Sequence, residues 1–446
     1  MNDNFINKSK NLLLHFLKEP GGFSFFPSPF FWWEWISQLD IKKSFLNYFN
    51  SDNFILDNNK KLNLYIHIPY CSRICSYCNC FKRQLSNDNE IEKYIKYLEK
   101  EVNLIYRLNW NKKLDISTIF IWGWTPNILT VEHFVNINGI LNRYFNLEWL
   151  EQFILDWHPN YYSKEKLDYL RSIKVNRITY AIQTFDEDVL ELNNRDSYDL
   201  ENIRESISYA KKTWFDINID LLIWLKWQKF AWILNDIEIV NSLWIDNVSV
   251  HYLMDSNNMN YKLDENYHEL VIETKKYLSK NKLPNRVSNR TEDYYASKIN
   301  STLSIWATWV TNIFWEIAFI KPNIEKYYNM LDGDNIPFEK WLIISWKDEM
   351  IRYIYLNILY WVNINDFNNL FWLDMFTVFI WEFQFLNKNN IIRIENWYIK
   401  SNKSDFETLI YFNVFFLEKY SNFFKYSYNN PNFRYLFSEW WEMIDK

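Results

Sequence analysis

Short runs rich in β-branched and aromatic residues recur at 62–69, 117–122, 152–157, 177–183, 217–223 and 247–253, and amphipathic helical patterns separate them. This alternation constrains the fold more than any other feature of the chain. The clearest helical pattern is 89–106, where Ile91, Tyr94, Ile95, Leu98, Val102 and Ile105 share one face with Lys and Glu opposite. Stretches 131–145, 164–173, 199–213, 230–243 and 264–281 read the same way. Repeated strand–helix succession requires parallel strands joined by right-handed crossovers, so six units predict an α/β fold, a barrel left partly open. Function in such barrels sits at the C-terminal ends of the strands. The polar and unusual residues fall there: four cysteines after the first strand, Gly123-Trp124-Thr125-Pro126 after the second, Asp156 and His158 after the third. Gln183 follows the fourth strand, Asp220 lies within the fifth and His251 in the sixth.

All four cysteines of the 446-residue chain lie in Cys71-Ser72-Arg73-Ile74-Cys75-Ser76-Tyr77-Cys78-Asn79-Cys80. A C-x3-C-x2-C triad can bend around a cubane iron–sulfur cluster and ligate three of its irons, because thiolates are the usual ligands of such clusters. The fourth iron is then open to the amino and carboxylate groups of S-adenosylmethionine (SAM). One-electron transfer to the sulfonium yields a 5′-deoxyadenosyl radical, chemistry that the cofactor supplies and the protein positions. Three plainer readings compete. Structural zinc usually takes two separated ligand pairs, and four cysteines in ten residues surround a tetrahedral ion poorly. A disulfide pair needs an oxidising compartment, of which the sequence carries no sign. The third is a chance cluster of buried thiols.

Net charge is −6 and the pI about 5.7, with no nucleic-acid footprint. The apolar run Leu12–Leu17 is too short for a signal-peptide core, and no stretch is long and apolar enough to span a bilayer. The expectation is a cytoplasmic monomer. Glycine numbers 5 and tryptophan 24, whereas glycine usually makes up about 7% of residues. Five glycines cannot supply the positive-φ positions that a chain of this size needs. Tryptophans stand where glycine is expected: Trp122 and Trp124 flank Gly123, Trp110 sits between Asn109 and Asn111, and Trp157 follows a strand. We therefore expect most of them to be glycines in the living protein, encoded by UGA and translated here as tryptophan. The excess of Asn, Ile, Lys, Tyr and Phe fits an AT-rich genome.

Three regions are expected: an N-terminal extension (1–60), a core barrel (61–320) and a smaller, mostly helical C-terminal accessory domain (321–446). The extension holds Gly21-Gly22-Phe23-Ser24-Phe25-Phe26-Pro27-Ser28-Pro29, an extended strap. In the C-terminal region 346–363 reads as helix. Residues 368–400 read as helix plus a hairpin, with its turn near 387–390 and its second strand over 391–399.

Tyr65-Ile66-His67-Ile68-Pro69-Tyr70-Cys71, the cysteine order C-x3-C-x2-C-x-C, Gly123-Trp124-Thr125-Pro126, Gln183-Thr184-Phe185 and Asn218-Ile219-Asp220-Leu221 resemble the radical SAM enzymes of the oxygen-independent coproporphyrinogen III oxidase group. The resemblance covers most of 20–320, and reading tryptophan as glycine restores Gly-Gly-Gly-Thr-Pro at 122–126 and supplies glycine at 224, 227 and 306. It implies a radical SAM barrel in which Cys71, Cys75 and Cys78 bind a [4Fe–4S] cluster, with Cys80 nearby and not a ligand. Tyr65, Gly123 and Asp156, with Val310, would hold the cluster-bound SAM, and Tyr77 would pack on a cofactor. A second SAM would meet Trp124 (as glycine), Thr125, Gln183, Arg195, Asp220 and Met254. Asp156 stands where the family usually has glutamate, and Lys226 replaces a family proline. His67 and His133 read as structural.

The implied activity is oxidative decarboxylation of two propionates of coproporphyrinogen III to vinyl groups in haem biosynthesis, with electrons from a donor such as flavodoxin or ferredoxin. Cys80 and Phe25-Phe26-Pro27-Ser28 favour this branch. The alternatives are a haem-trafficking protein of the same fold and a related radical SAM methyltransferase or cyclopropane-forming enzyme.

Overall fold

The computed structural model describes residues 34–35, 37–50, 62–78, 82–123, 125–253, 302–305, 310–313, 317–320, 323–343, 361–388 and 390–402, with a few isolated residues between 350 and 358. The aromatic strap, helical pattern 264–281, and Cys80, Trp124 and Met254 lie outside the described residues. The chain divides into two compact units, one of Trp35–Tyr295 with Asn300–Trp341, the other of Met1–Glu34, Ala296–Ile299 and Leu342–Lys446.

The first unit is built on six parallel strands taken in chain order: β1 (Leu62–Ile68), β2 (Leu114–Gly123), β3 (Gln152–Trp157), β4 (Arg177–Gln183), β5 (Asp216–Ile223) and β6 (Asn247–Tyr252). Helices α2 (Asn89–Leu108), α3 (Val131–Tyr144), α4 (Lys164–Ser172), α6 (Leu200–Lys212) and α7 (Phe230–Ser242) fall in the crossovers; α1 (Gln38–Asn50) precedes β1 and α5 (Glu187–Leu192) follows β4. This is the expected α/β architecture, and the element boundaries follow the sequence periodicity closely. The sheet then continues past β1. Strand β7 (Thr302–Ile305) pairs parallel with it, and β8 (Val310–Ile313) and β9 (Ile317–Ile320) add antiparallel strands. Helix α8 (Ile324–Asp332) belongs to the same unit.

The strands alternate with period two, and both faces are buried. Leu64, Ile66, Ile119, Ile121, Phe153, Leu155, Ile178, Tyr180, Ile217 and Ile219 form one apolar set, in one core with Leu98, Val102, Phe134, Leu141, Leu167, Leu170, Ile203 and Ile207 of the helices. The intervening positions carry the polar residues, mixed with Phe120, Trp122, Ile154 and Ala181, and register sets the polar ones side by side: Asn63 beside Thr118, Asp156 beside Thr179, Thr179 beside Asn218, and Asp220 beside Ser249. Helix α3 starts on a capping box, Thr130 Oγ1 accepting from His133 N and His133 Nδ1 from Thr130 N, so His133 has the structural role expected of it.

The second unit, described over part of its length, has helices α9 (Ile364–Phe371), α10 (Met375–Val378) and α11 (Ile380–Lys388), and a sheet in the order β10 (Val362–Asn363), β12 (Tyr398–Ser401), β11 (Ile392–Glu395). Its core is aromatic, with Phe367, Phe371, Phe379 and Phe383 buried. The hairpin turn is not at 387–390, where α11 ends, but at Asn396-Trp397, and both residues have positive φ (47° and 68°). Such a two-residue turn is of type I′, which favours Asn-Gly. A tryptophan at 397 hid that signal from the sequence reading.

The same conflict recurs. Trp110, Trp214, Trp224, Trp227, Trp372 and Trp397 all have φ between 52° and 68°, a region costly for any residue with a Cβ. Trp110 and Trp214 follow the C-caps of α2 and α6, the place where helices commonly end on glycine. Around Trp214, Phe215 N donates to Ala210 O and Trp214 N to Lys211 O, the paired bonds of a Schellman ending. Trp110, Trp214 and Trp397 are exposed, so their indoles contribute little burial. Replacing any of the three with glycine is expected to raise the unfolding free energy by about 0.5–1 kcal/mol, the left-handed penalty less the entropy cost of glycine. Urea titration of the single variants checks this, and loss of stability on all three would contradict it.

Candidate functional site

The cysteine loop leaves the end of β1 through Pro69. Its base is closed by a short parallel pairing of Tyr70–Cys71 with Arg83–Gln84, where Arg83 N donates to Pro69 O (2.8 Å) and Leu85 N to Cys71 O (2.9 Å). Its outer part is held by the segment after α5. Ser76 N donates to Asn193 O (2.9 Å), Asn194 Nδ2 to Ile74 O (2.7 Å), and Arg73 reaches Asn194 Oδ1 (2.8 Å) and Asp196 Oδ1 (3.1 Å). Asn193 is fully buried, and its amide also donates to Lys226 O (3.1 Å), tying the loop after β5 to the same point. Lys82 Nζ donates to Cys78 O across the loop. The sequence reading singled out none of Asn193, Asn194, Asp196 or Lys82. The adjacent polar residues Asn193-Asn194 directly after a helix are the one signal that marks them.

The buried cysteines Cys71, Cys75 and Cys78 line one cleft with Lys82, Thr125, His158, Arg195 and Asp196. Among the described residues no three His, Cys, Asp or Glu side chains converge on a point suited to a single metal ion. The thiols share a cleft, the arrangement needed when each thiolate takes a different iron of a cluster. Burial pushes the Cys71 thiol up to about 12, although Thr125 Oγ1, 3.5 Å from its sulfur, acts against the shift. Such a thiol becomes a thiolate when a metal replaces its proton.

Arg195 is 4% exposed. Its Nη1 lies 3.6 Å from Cys75 Sγ, its Nη2 donates to Ala181 O, and its Nε is buried without a partner. Burial works against its charge, yet Tyr77, Cys75 and Tyr198 raise its pKa above the usual guanidinium range. Tyr77 is buried beside it, with its phenol pKa raised by burial. His158 is buried too; burial first and Arg195 second hold it neutral, and its Nδ1 accepts from Asn160 N.

Asp156 ends up inside the barrel near the end of β3, 4% exposed, with Oδ1 unpartnered. Burial, then the Asp220 carboxylate, raises its pKa well above the usual carboxylate range. Asp220 Oδ1 accepts from Asn218 Nδ2 (2.7 Å) and lies 3.8 Å from His251 Nε2. A buried acceptor without a donor and a buried guanidinium N–H without an acceptor are costly alone. Together they fit a ligand that brings hydroxyls and an anionic group, as SAM does.

The other expected residues divide. Tyr65 is buried with its hydroxyl 2.8 Å from His67 Nδ1, so His67 supports it structurally. Gly123 has φ 135°, and a Cβ there would lie 2.0 Å from Ile68 O. Only glycine lets β2 pass so close to the approach to the cysteine loop. Gln183 sits at a break in register between β4 and β5 with φ 72°, a local strain of the kind found beside functional sites. Just beyond it, the buried carboxylate of Asp236 on α7 accepts from Thr184 Oγ1 (2.7 Å), Phe185 N (2.7 Å) and Gln228 Nε2 (3.3 Å). An acid at a buried position of an amphipathic helix, three residues after Ile233 and four before Val240, is the sequence signal that was missed. Val310 is placed by its backbone alone, opposite Ile320.

No helix among the described residues is long and apolar enough to cross a membrane. Residues 65–235 match the radical SAM superfamily. The chain is 32% identical over 193 residues to Heme chaperone HemW of Bacillus subtilis, covering 43% of this chain and 50% of that protein. It is 27% identical over 164 residues to the Oxygen-independent coproporphyrinogen III oxidase of Escherichia coli, covering 36% of this chain and 35% of that protein. The chain thus spans half or less of the length of these curated relatives. The solved coproporphyrinogen III oxidase (HemN) from Escherichia coli, a radical SAM enzyme, shares the fold with a TM-score of 0.67 over 84% of this chain and 93% of that one, at 18% identity. Cysteine loop, parallel strands and these matches agree: the chain carries a radical SAM domain, which takes a [4Fe–4S] cluster and SAM, of the type found in heme chaperones and oxygen-independent coproporphyrinogen III oxidases.

Proposed function

We propose that the protein is an enzyme that oxidatively decarboxylates coproporphyrinogen III to protoporphyrinogen IX without oxygen. The observation that carries the reading is the set of three buried thiols lining one cleft at the C-terminal end of the parallel strands, beside the buried Arg195. Cys71, Cys75 and Cys78 hold the cluster; Tyr65, Gly123, Asp156 and Val310 hold the cluster-bound SAM. Thr125, Gln183, Arg195 and Asp220 face a second SAM.

When bound, the two cofactors supply a carbon-centred radical able to take hydrogen from carbon. Each propionate then loses one hydrogen atom from the carbon next to the ring, one electron to a one-electron acceptor, and carbon dioxide, leaving a vinyl group. The chain contributes placement. Asp156 accepts hydrogen bonds from ribose hydroxyls, and the buried Arg195 offers Nε to an anionic group.

A second reading, a haem-trafficking protein, is favoured by the 32% identity to Heme chaperone HemW. The deciding experiment uses anaerobically reconstituted protein, expressed with glycine at the UGA positions, and supplies SAM, reductant and coproporphyrinogen III. Protoporphyrinogen formation with matching 5′-deoxyadenosine supports the oxidase. Haem binding with neither product supports the chaperone.

Alanine at Cys71, Cys75 or Cys78 is expected to abolish cluster incorporation, read as bound iron and sulfide and the visible absorbance of the reconstituted protein. Asp156→Asn should keep the cluster and weaken SAM binding by about ten- to a hundredfold, the worth of hydrogen bonds to a charged acceptor. Calorimetric titration with SAM checks it, and unchanged affinity would remove Asp156 from the SAM site.

A further inference from the structure

Arg195 poses an electrostatic problem that the described carboxylates of the chain do not resolve. Its side chain is buried, and among the described residues no carboxylate lies within ion-pair distance of it; the neighbouring Asp196 is engaged by Arg73. Its polar neighbours include a carbonyl, Ala181 O, a sulfur, Cys75 Sγ, 3.6 Å from Nη1, and the uncharged Tyr198 hydroxyl. A buried arginine without a counter-charge is strongly destabilising, so the fold needs an anion at this place. Of the groups beside it, the Cys75 sulfur is the one that is anionic once it ligates iron.

From this geometry we infer that Arg195 is the fixed counter-charge of the iron–sulfur cluster: its guanidinium donates to the Cys75 thiolate and holds the cluster's reduction potential up. The inference rests on the cluster reading above. Hydrogen bonds to ligand sulfur and nearby positive charge both stabilise the reduced, more negative cluster, and both raise its potential. Thr125 makes the corresponding contact at Cys71 Sγ, 3.5 Å away, with a neutral hydroxyl. The Cys71 and Cys75 sulfurs therefore each have a donor built into the fold, and the donor at Cys75 carries a full charge. Arg195 is held by the same latch that holds the loop, since Asn193 and Asn194 immediately before it bond to Ser76 and Ile74. Loop and counter-charge are set by one piece of chain. Burial also shields the pair from solvent screening, so the effect persists at high salt.

The test is a dye-mediated redox titration of the reconstituted protein, followed by electron paramagnetic resonance without SAM, so that any contact between Arg195 and SAM is removed from the readout. Wild type is compared with Arg195→Gln and Arg195→Lys at matched iron and sulfide content. In Arg195→Gln the ratio of reduced to oxidised cluster at a fixed potential is expected to fall at least about tenfold, a downward shift of about 59 mV for one electron. In Arg195→Lys, which keeps the charge and loses the planar fork, it should fall by less. An unchanged midpoint in Arg195→Gln, or an equal fall in both variants, would overturn the inference. If Arg195→Gln does not fold, Arg195→Lys decides, with an unchanged midpoint counting against the proposal. Failure of wild type to take up a cluster would instead overturn the cluster reading itself.

Discussion

The site depends on how an irregular stretch of eight residues, Cys71 to Cys78, is held in shape. A loop without helix or strand leaves its backbone groups to be satisfied elsewhere, and here both ends are accounted for. The base is paired with Arg83–Gln84, and the tip is bonded to Asn193 and Asn194. At about 1 kcal/mol net for each hydrogen bond, these contacts together offset much of the entropy of ordering the loop. They also fix three thiols in one cleft before any metal arrives. Gly123 completes the arrangement, since β2 can pass the Ile68 carbonyl only where no Cβ intervenes.

Around that loop the fold stores unpaired polarity. Arg195 is buried against a sulfur, and Asp156 keeps a bare carboxylate oxygen inside the barrel. Each group alone lowers stability. They persist because the side chains of a strand alternate between two faces, so a strand with one face committed to the core has nowhere else to put its other side chains. The helices bury Leu98, Phe134, Leu167 and Ile203 against Ile66, Ile121, Leu155 and Ile178, and that core bears the cost of the charged interior. The buried Asp236 does comparable work for the loops after β4 and β5, where three donors meet one carboxylate. Its pKa, raised to about 6 by burial, reflects that enclosure.

The tryptophans show where local chemistry and fold disagree. A consistent sequence has turn residues that prefer the turn geometry. In this chain Trp214 ends a helix, Trp397 occupies a type I′ turn, and Trp224 and Trp227 shape the loop after β5, all with positive φ. Burial does not account for them, because Trp214 and Trp227 are largely exposed. Glycine satisfies each of these positions, and the shortage of glycine in the composition has the same resolution. The backbone is thus an observation independent of the residue count, and it identifies particular positions.

Much of the fold was legible in the sequence because period-two and period-3.6 patterns are local properties. They located β1 to β6 and α2, α3, α4, α6 and α7 within a residue or two at most ends. The cysteine spacing pointed to the proposed cluster ligands for the same reason, since C-x3-C-x2-C is chemistry written in adjacent positions. The hairpin turn was misplaced because position 397, where a type I′ turn favours glycine, is tryptophan. Strand β7 beside β1 was not legible, since partners more than two hundred residues apart leave no local period. What the sequence by itself determined is the order of the parallel strands and the spacing of the three cysteines, each carried by neighbours along the chain. What only the tertiary structure decided is which distant residues surround those thiols: Asn193 and Asn194 as the latch, Arg195 against Cys75, and Thr125 against Cys71. Those contacts depend on which strand ends the crossovers bring together, and no spacing along the chain encodes that.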